Sequence, residues 1–201
     1  MAPGFHSSTV VSRRRTLAWL GASASLLLSR TGASLEPEVP VRLQVSLLDR
    51  VIPFDRKFKL RVHGRLSLAV VVDEGNEDSV RIGGQLLSEL GARETLGNYP
   101  FSALHVPFKS VQGLSDECKR LKAGVVYVTP GVREPIGQLA TALLGLRVMT
   151  VGTMPEQVSQ GLVLGYAVRS GKPRILVNLS QARLQDVDFR ADFLRMAEVV
   201  G

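Results

Sequence analysis

Three short segments carry the polar residues best placed for binding chemistry: Asp73-Glu74-Gly75-Asn76, Thr129-Pro130-Gly131 and Gly152-Thr153-Met154-Pro155. Each follows an apolar run and precedes a helical pattern. Its backbone N–H groups therefore lie near a helix start, where an anion or polar group can be held, and Asp73, Gly75, Thr129, Gly131 and Thr153 are the candidate ligand residues. The same residue types also make ordinary strand-to-helix turns, so both readings stand. A second candidate is cationic and aromatic. Arg50, Arg56, Lys57, Lys59, Arg61 and Arg65 surround Phe54 and Phe58, with Asp49 and Asp55 interrupting the charge. A phenyl ring flanked by charge can act as an apolar anchor inside a polar rim, which makes Phe54, Arg56, Phe58 and Arg61 the candidate partner surface. A solvated loop whose two phenyl rings tuck into the core is the alternative.

Signatures of catalysis fail one by one, and no catalytic, cofactor-binding or metal residue is assigned. Gly83-Gly84 lies inside a helical pattern, so it makes neither a phosphate loop nor a dinucleotide fingerprint. No G-x-S-x-G elbow is present. His63 and His105 lack the C-x-x-C or H-x-x-x-H company of a zinc site. Nothing in the pattern brings Cys118, on a polar helix, to His105, within a strand. Asn178-Leu179-Ser180 matches a glycosylation sequon but reads better as a strand-end cap.

The elements that position these residues alternate. Val41, Val45, Leu48 and Ile52 share a helical face that Pro53 ends. Leu66 to Val72 and Val125 to Val128 are valine-rich runs of the kind buried on both faces of a parallel sheet. Helical spacing follows each: Gly83, Leu86, Leu87 and Leu90 behind a cap at Asn76 or Ser79, and Ile136, Leu139, Ala140 and Leu143 behind Pro135. Ser102 to Phe108 and Arg147 to Val151 read as further strands, and Ser110 to Lys122 as a helix. Gly161 to Val168, a turn at Ser170-Gly171 and Arg174 to Leu179 make a β-hairpin. Phe189, Phe193, Met196, Ala197 and Val200 form one apolar stripe, which predicts a closing helix. The fold class is α/β: a three-layer sandwich with a mostly parallel sheet, a C-terminal antiparallel hairpin and that closing helix.

The N-terminus predicts export. Ser12-Arg13-Arg14-Arg15 precedes the apolar stretch Leu17 to Leu28, and Thr31-Gly32-Ala33 offers a small-residue cleavage site. The apolar run is short of the roughly twenty residues that span a bilayer. The arginines suit the twin-arginine route as well as the general one, although Thr16 stands where that motif prefers Phe. Residues 1–33 then form a signal peptide, 34–40 a linker and 41–201 a single domain, with the mature chain starting near Ser34. The first 33 residues hold four arginines and no acid, which lowers the formal charge of +7 to +3 for the remainder. That balance argues against a nucleic-acid partner, which needs a dense basic patch interleaved with aromatics. One cysteine excludes a disulfide within the chain.

The closing block has a recognisable order. A strand after Gly161 leads to Ser170-Gly171-Lys172-Pro173, then to a strand ending Val177-Asn178-Leu179, then to Ser180-Gln-Ala182-Arg183 and Phe193-Leu194-Arg195-Met196-Ala197. This resembles the YfiR family, most closely at Gly161, Gly171, Asn178, Ala182, Arg183, Leu194 and Arg195. The similarity runs more weakly through Val41 to Phe58, Leu66 to Val72, Val125 to Val128 and Met149 to Gly152. The resemblance implies a periplasmic regulatory protein without a cofactor, one that binds and restrains an inner-membrane signalling protein making cyclic di-GMP, often as a homodimer. Two departures stand out: Leu47-Leu48-Asp49-Arg50 replaces the usual aromatic run, and a lone Cys118 removes internal redox gating. A soluble periplasmic small-ligand binder of a transport or sensor system is the alternative, though one domain leaves no room for two lobes.

Overall fold

Valine-rich runs bury best where both faces of a strand are covered, and the sheet is built around two of them. The computed structural model describes residues 38–201 except His63 and Arg133, so the predicted signal peptide, most of the linker and His63 lie outside the described residues. Strands β1 (Leu66–Val72) and β4 (Ala123–Val128) pair in parallel at the centre. β3 (Tyr99–Pro107) flanks β1, while β5 (Met149–Gly152) and β6 (Leu164–Arg169) continue in parallel beyond β4. β7 (Lys172–Asn178) returns antiparallel to β6, and the short β2 (Thr95–Leu96) pairs antiparallel with β3. With β8 (Glu198–Val200) the eight-stranded order is β2-β3-β1-β4-β5-β6-β7-β8.

Strand alternation sends side chains to two cores. Leu66, Leu68, Val70 and Val72 meet α1 (Val41–Val51) and α2 (Glu77–Gly91) through Val45, Leu48, Leu86 and Leu90. Ala69, Val71, Val126 and Val128 face α3 (Val111–Leu121) and α4 (Ile136–Ala142) through Leu114, Cys118, Leu139 and Ala140. Truncating a fully buried leucine such as Leu86 or Leu139 costs about 2–5 kcal/mol, so each layer is held by several such contacts. Gly83 marks the closest approach of α2 to the sheet: a Cβ there would meet Val72 Cγ2 at 2.5 Å. Asn76 caps α2 by accepting from Ser79 N at 2.9 Å, and Ser110 caps α3 by accepting from Gly113 N at 3.1 Å.

The α/β class, the mostly parallel sheet and the hairpin are as expected. The closing helix is not. Only the short stretch Ala191–Leu194 is helical, and residues 198–200 leave the helix to form β8 beside β7 in parallel. Phe189 and Phe193 do point into the core, while Met196 is exposed and Val200 packs against Val158, Ala167 and Leu176 instead. A free edge of β7 offers backbone hydrogen bonds that the last residues satisfy better as strand than as helix.

Candidate functional site

The parallel strands run in the order β3-β1-β4-β5-β6, so the chain winds outward in opposite directions from β1 and β4. In such sheets ligands bind at the carboxyl end of the strands where the order reverses. All three predicted ligand segments sit at that end. The 73–76 turn follows β1, the 129–131 turn follows β4, and Thr153 follows β5 before α5 (Pro155–Ser159).

The crevice between β1 and β4 is filled by the chain itself. Ser79 Oγ and Thr129 Oγ1 lie 2.5 Å apart across it. Thr129 Oγ1 donates to Val71 O at 2.7 Å, and Asp73 N donates to Ser79 Oγ at 2.8 Å. Gly75 N donates to Asp73 Oδ1 at 2.9 Å. Gly131 sits at φ +72, and a Cβ there would lie 2.4 Å from the Asn76 amide, so the cap of α2 packs directly onto the turn after β4. On the other side Gln157 closes the gap: its Nε2 donates to Thr129 O at 3.0 Å, and its Oε1 accepts from Met154 N at 3.0 Å and from Thr153 Oγ1 at 3.4 Å. Gln44 reaches from α1 to donate to Thr153 O at 3.4 Å and accepts from the buried Tyr127 hydroxyl at 2.8 Å. Burial pushes the Tyr127 phenol well above its ordinary range, so it stays a neutral donor.

The structure thus brings Asp73, Thr129, Gly131 and Thr153 together, but as a set that satisfies itself. Around it carboxylates outnumber cations among the described residues: Glu74, Glu77, Asp78, Glu134 and Glu156 stand at or beside these turns, with Arg81 and Lys109 on the same rim. Open depressions flank the set. One of about 440 Å³ is lined by Pro130, Glu134, Met154, Glu156 and Gln157, and one of about 350 Å³ by Asp73, Glu74, Gly75, Phe108 and Lys109. Helix dipoles favour anions at this end, and the surrounding carboxylates oppose them. Sequence reasoning missed Ser79 as a bridge, Gln157 and Gln44. Only Gln157 had a signal, as the Gln at the third helical position of a capping pattern.

The predicted partner segment splits in two. Phe58 and Arg61 are buried, and Phe54 is half-buried, its ring stacked on Phe193 with centroids 5.4 Å apart. Arg61 Nη2 pairs with Asp55 Oδ2, and Asp55 Oδ1 accepts from Lys57 N and Asp188 N, both at 3.0 Å. A backbone bridge between Asp55 and Phe189 and the bond from Arg190 N to Phe54 O at 2.9 Å staple this segment to the C-terminal one. Arg61 and Phe58 are therefore core residues and cannot serve as an exposed anchor and rim. Charges here are read poorly from sequence because a carboxylate six residues away turns a surface arginine into an interior one. What remains accessible is Arg56, 3.5 Å from Asp188, with Lys59 and Leu60.

Cys118 is buried, and burial together with the charge of Glu117 raises its thiol to about 12, far from a nucleophile's range. His105 is exposed on β3. Among the described residues no group of three or more His, Cys, Asp or Glu side chains is placed to hold a metal, and no helix is long and apolar enough to cross a membrane.

Solved structures share this doubly wound architecture. A conserved domain protein from Vibrio cholerae O1 biovar eltor superposes with a TM-score of 0.59 at 14% identity, over 81% of this chain and 60% of that one. The ABC domain in complex with L-Trp from Streptococcus pneumonia gives 0.57 at 10% identity, over 80% of this chain and 60% of that one. The ligand-free, open substrate binding protein CD0873 from Clostridium difficile gives 0.58 at 12% identity, over 81% and 60% respectively. The chain spans about 60% of their length, and at these identities the likeness concerns the fold. No curated protein matches the sequence. The sheet order and its flanking helices define an α/β protein of the doubly wound class. More narrowly, a sequence model of the YfiR/HmsC-like family matches residues 79–198, over half of the chain, and the chain belongs to that family. The family is one of periplasmic regulators and not of catalysts.

Proposed function

We propose that this protein is exported to the periplasm and restrains an inner-membrane signalling enzyme, a diguanylate cyclase or sensor, by binding its outward-facing part. The carrying observation is the family match over residues 79–198. The arginine-led apolar stretch at the N-terminus supports export. A crevice closed by its own hydrogen bonds also favours a protein that presents a surface over one that processes a substrate. Of the partner segment, Arg56 with Lys59 and Leu60 is the part left for contact. Deleting the gene should raise cellular cyclic di-GMP, and Arg56→Glu should raise it partially while changing folding stability by under about 0.5 kcal/mol. Unchanged nucleotide levels on deletion would remove the cyclase reading.

A second reading, a periplasmic small-ligand binder, draws on the likeness to a substrate binding protein and to a domain solved with L-Trp. Those structures are longer than this chain, and the crevice here is closed, which favours the regulatory reading.

A further inference from the structure

The amino ends of the central strands carry a feature that shares only Leu60 with the partner surface proposed above. A cleft of about 410 Å³ opens between the segment before β1, the end of α3 and the loop before β5. Leu60 and Leu146 form an apolar side, and Arg61, Lys119, Lys122 and Arg147 supply four cations, with no carboxylate in the lining. Its volume suits a small organic molecule.

Two of these cations stand where the backbone disfavours them. Lys122 closes α3 at φ 49, and Arg147 precedes β5 at φ 55. Only Gly and Asn enter the left-handed region readily, yet here both positions present a long cationic side chain to the same cleft. Lys122 has no ion-pair partner among the described residues, while Arg147 makes a long ion pair from Nε to Asp186 Oδ2 at 3.7 Å, which leaves the rest of its guanidinium for a further anion. Lys119 pairs with Asp116 at 3.3 Å. Arg61 is the fixed member. Its side chain is 3% exposed, its Nη groups are held by Asp55 and by Asp186 O, and its Nε is buried without a partner among the described residues. The carboxyl-terminal dipole of α3 accounts for cations on that helix. It does not account for Arg147 or for the unpartnered Nε–H of Arg61.

We propose that this cleft binds a small organic oxyanion, a carboxylate or a phosphate ester, whose charged head meets Lys122 and Arg147 and whose apolar part rests on Leu60 and Leu146, with the enclosed Arg61 guanidinium adding positive charge beneath it. Guanidinium groups match the planar oxygens of either head. An anion here also offsets the charge of Lys122, the lining cation without an ion pair among the described residues.

Thermal unfolding of the full chain at constant ionic strength tests this site with inorganic phosphate, phenyl phosphate and benzoate, using chloride as the control. A saturable rise in Tm is expected, larger with phenyl phosphate than with inorganic phosphate. A response to benzoate as well as phenyl phosphate assigns the site to oxyanions generally, and a response to phenyl phosphate alone assigns it to phosphate esters. The double variant Lys122→Gly, Arg147→Gly should hold or raise the ligand-free Tm, since glycine relaxes both left-handed positions, yet weaken anion binding by about tenfold or more. No rise beyond chloride with any anion, or an equal rise in the double variant, would overturn the proposal.

Discussion

The two ends of the parallel sheet differ in opposite ways from what the topology leads one to expect. At the carboxyl end, where sheets of this order usually hold their ligands, Ser79, Thr129, Gln157 and the Asn76–Gly131 contact use up one another's polar groups, and acids surround them. At the amino end, the lining of an open cleft brings four cations and no carboxylate together. Topology places loops, but the side chains on those loops decide whether a crevice stays open. The comparison also separates two kinds of charge. The acids of the first turn of α2 are solvated, whereas Arg61 is enclosed with Asp55 and ties residues 54–61 to the C-terminal segment.

The largest expected effect falls at the amino end. Arg61→Gln leaves the Asp55 carboxylate buried without its cation and should cost about 3–5 kcal/mol, read as a lower urea midpoint at unchanged slope. A loss under about 1 kcal/mol would mean that water reaches the pair. At the carboxyl end, Gly131→Ala forces a Cβ into the left-handed region and against the Asn76 cap, for about 2 kcal/mol in the same measurement. A near-neutral result would show that the crevice is loose and able to open. Cys118 sharpens the contrast without a mutation: with its thiol raised to about 12, iodoacetamide at pH 8 should leave it unmodified until the chain is unfolded. Rapid labelling in the folded state would place the thiol in open solvent within the cleft.

The smallest effect concerns pH. The Asp186 carboxyl is held below its ordinary 3.8, first by the hydrogen bond from Lys57, at 2.5 Å, against an opposing desolvation, then by the charges of Lys57, Arg147 and Arg61. A carboxylate depressed in the folded state stabilises fully above the unfolded pKa and loses that contribution as pH falls through the lower folded value. Asp186→Asn should therefore flatten the fall in Tm below about pH 4 and change little at pH 7, because the group is partly solvated. An equal acid limb in the variant would assign it to other carboxylates.

The class of the sheet follows from local residue patterns. Leu66 to Val72 and Val125 to Val128 are too continuously apolar to lie anywhere but at its centre, and Asn76 and Ser110 announce helix starts through local hydrogen bonds. Such signals are short-range, so one strand of sequence contains them whole. Three features depended on how the elements pack. The stripe from Phe189 to Val200 has helical spacing, yet its end became β8 because β7 had an unpaired edge to offer. Arg61 looked like a surface charge until Asp55, Asp188 and Phe58 enclosed it. Thr129 and Gly131 looked like ordinary turn residues, and only the approach of Ser79, Asn76 and Gln157 from other elements closed the crevice around them. β7, Asp188 and Asn76 each reach these residues from elsewhere in the chain, and burial, which sets whether a polar group must find a protein partner or keeps water, exists only once the chain has packed.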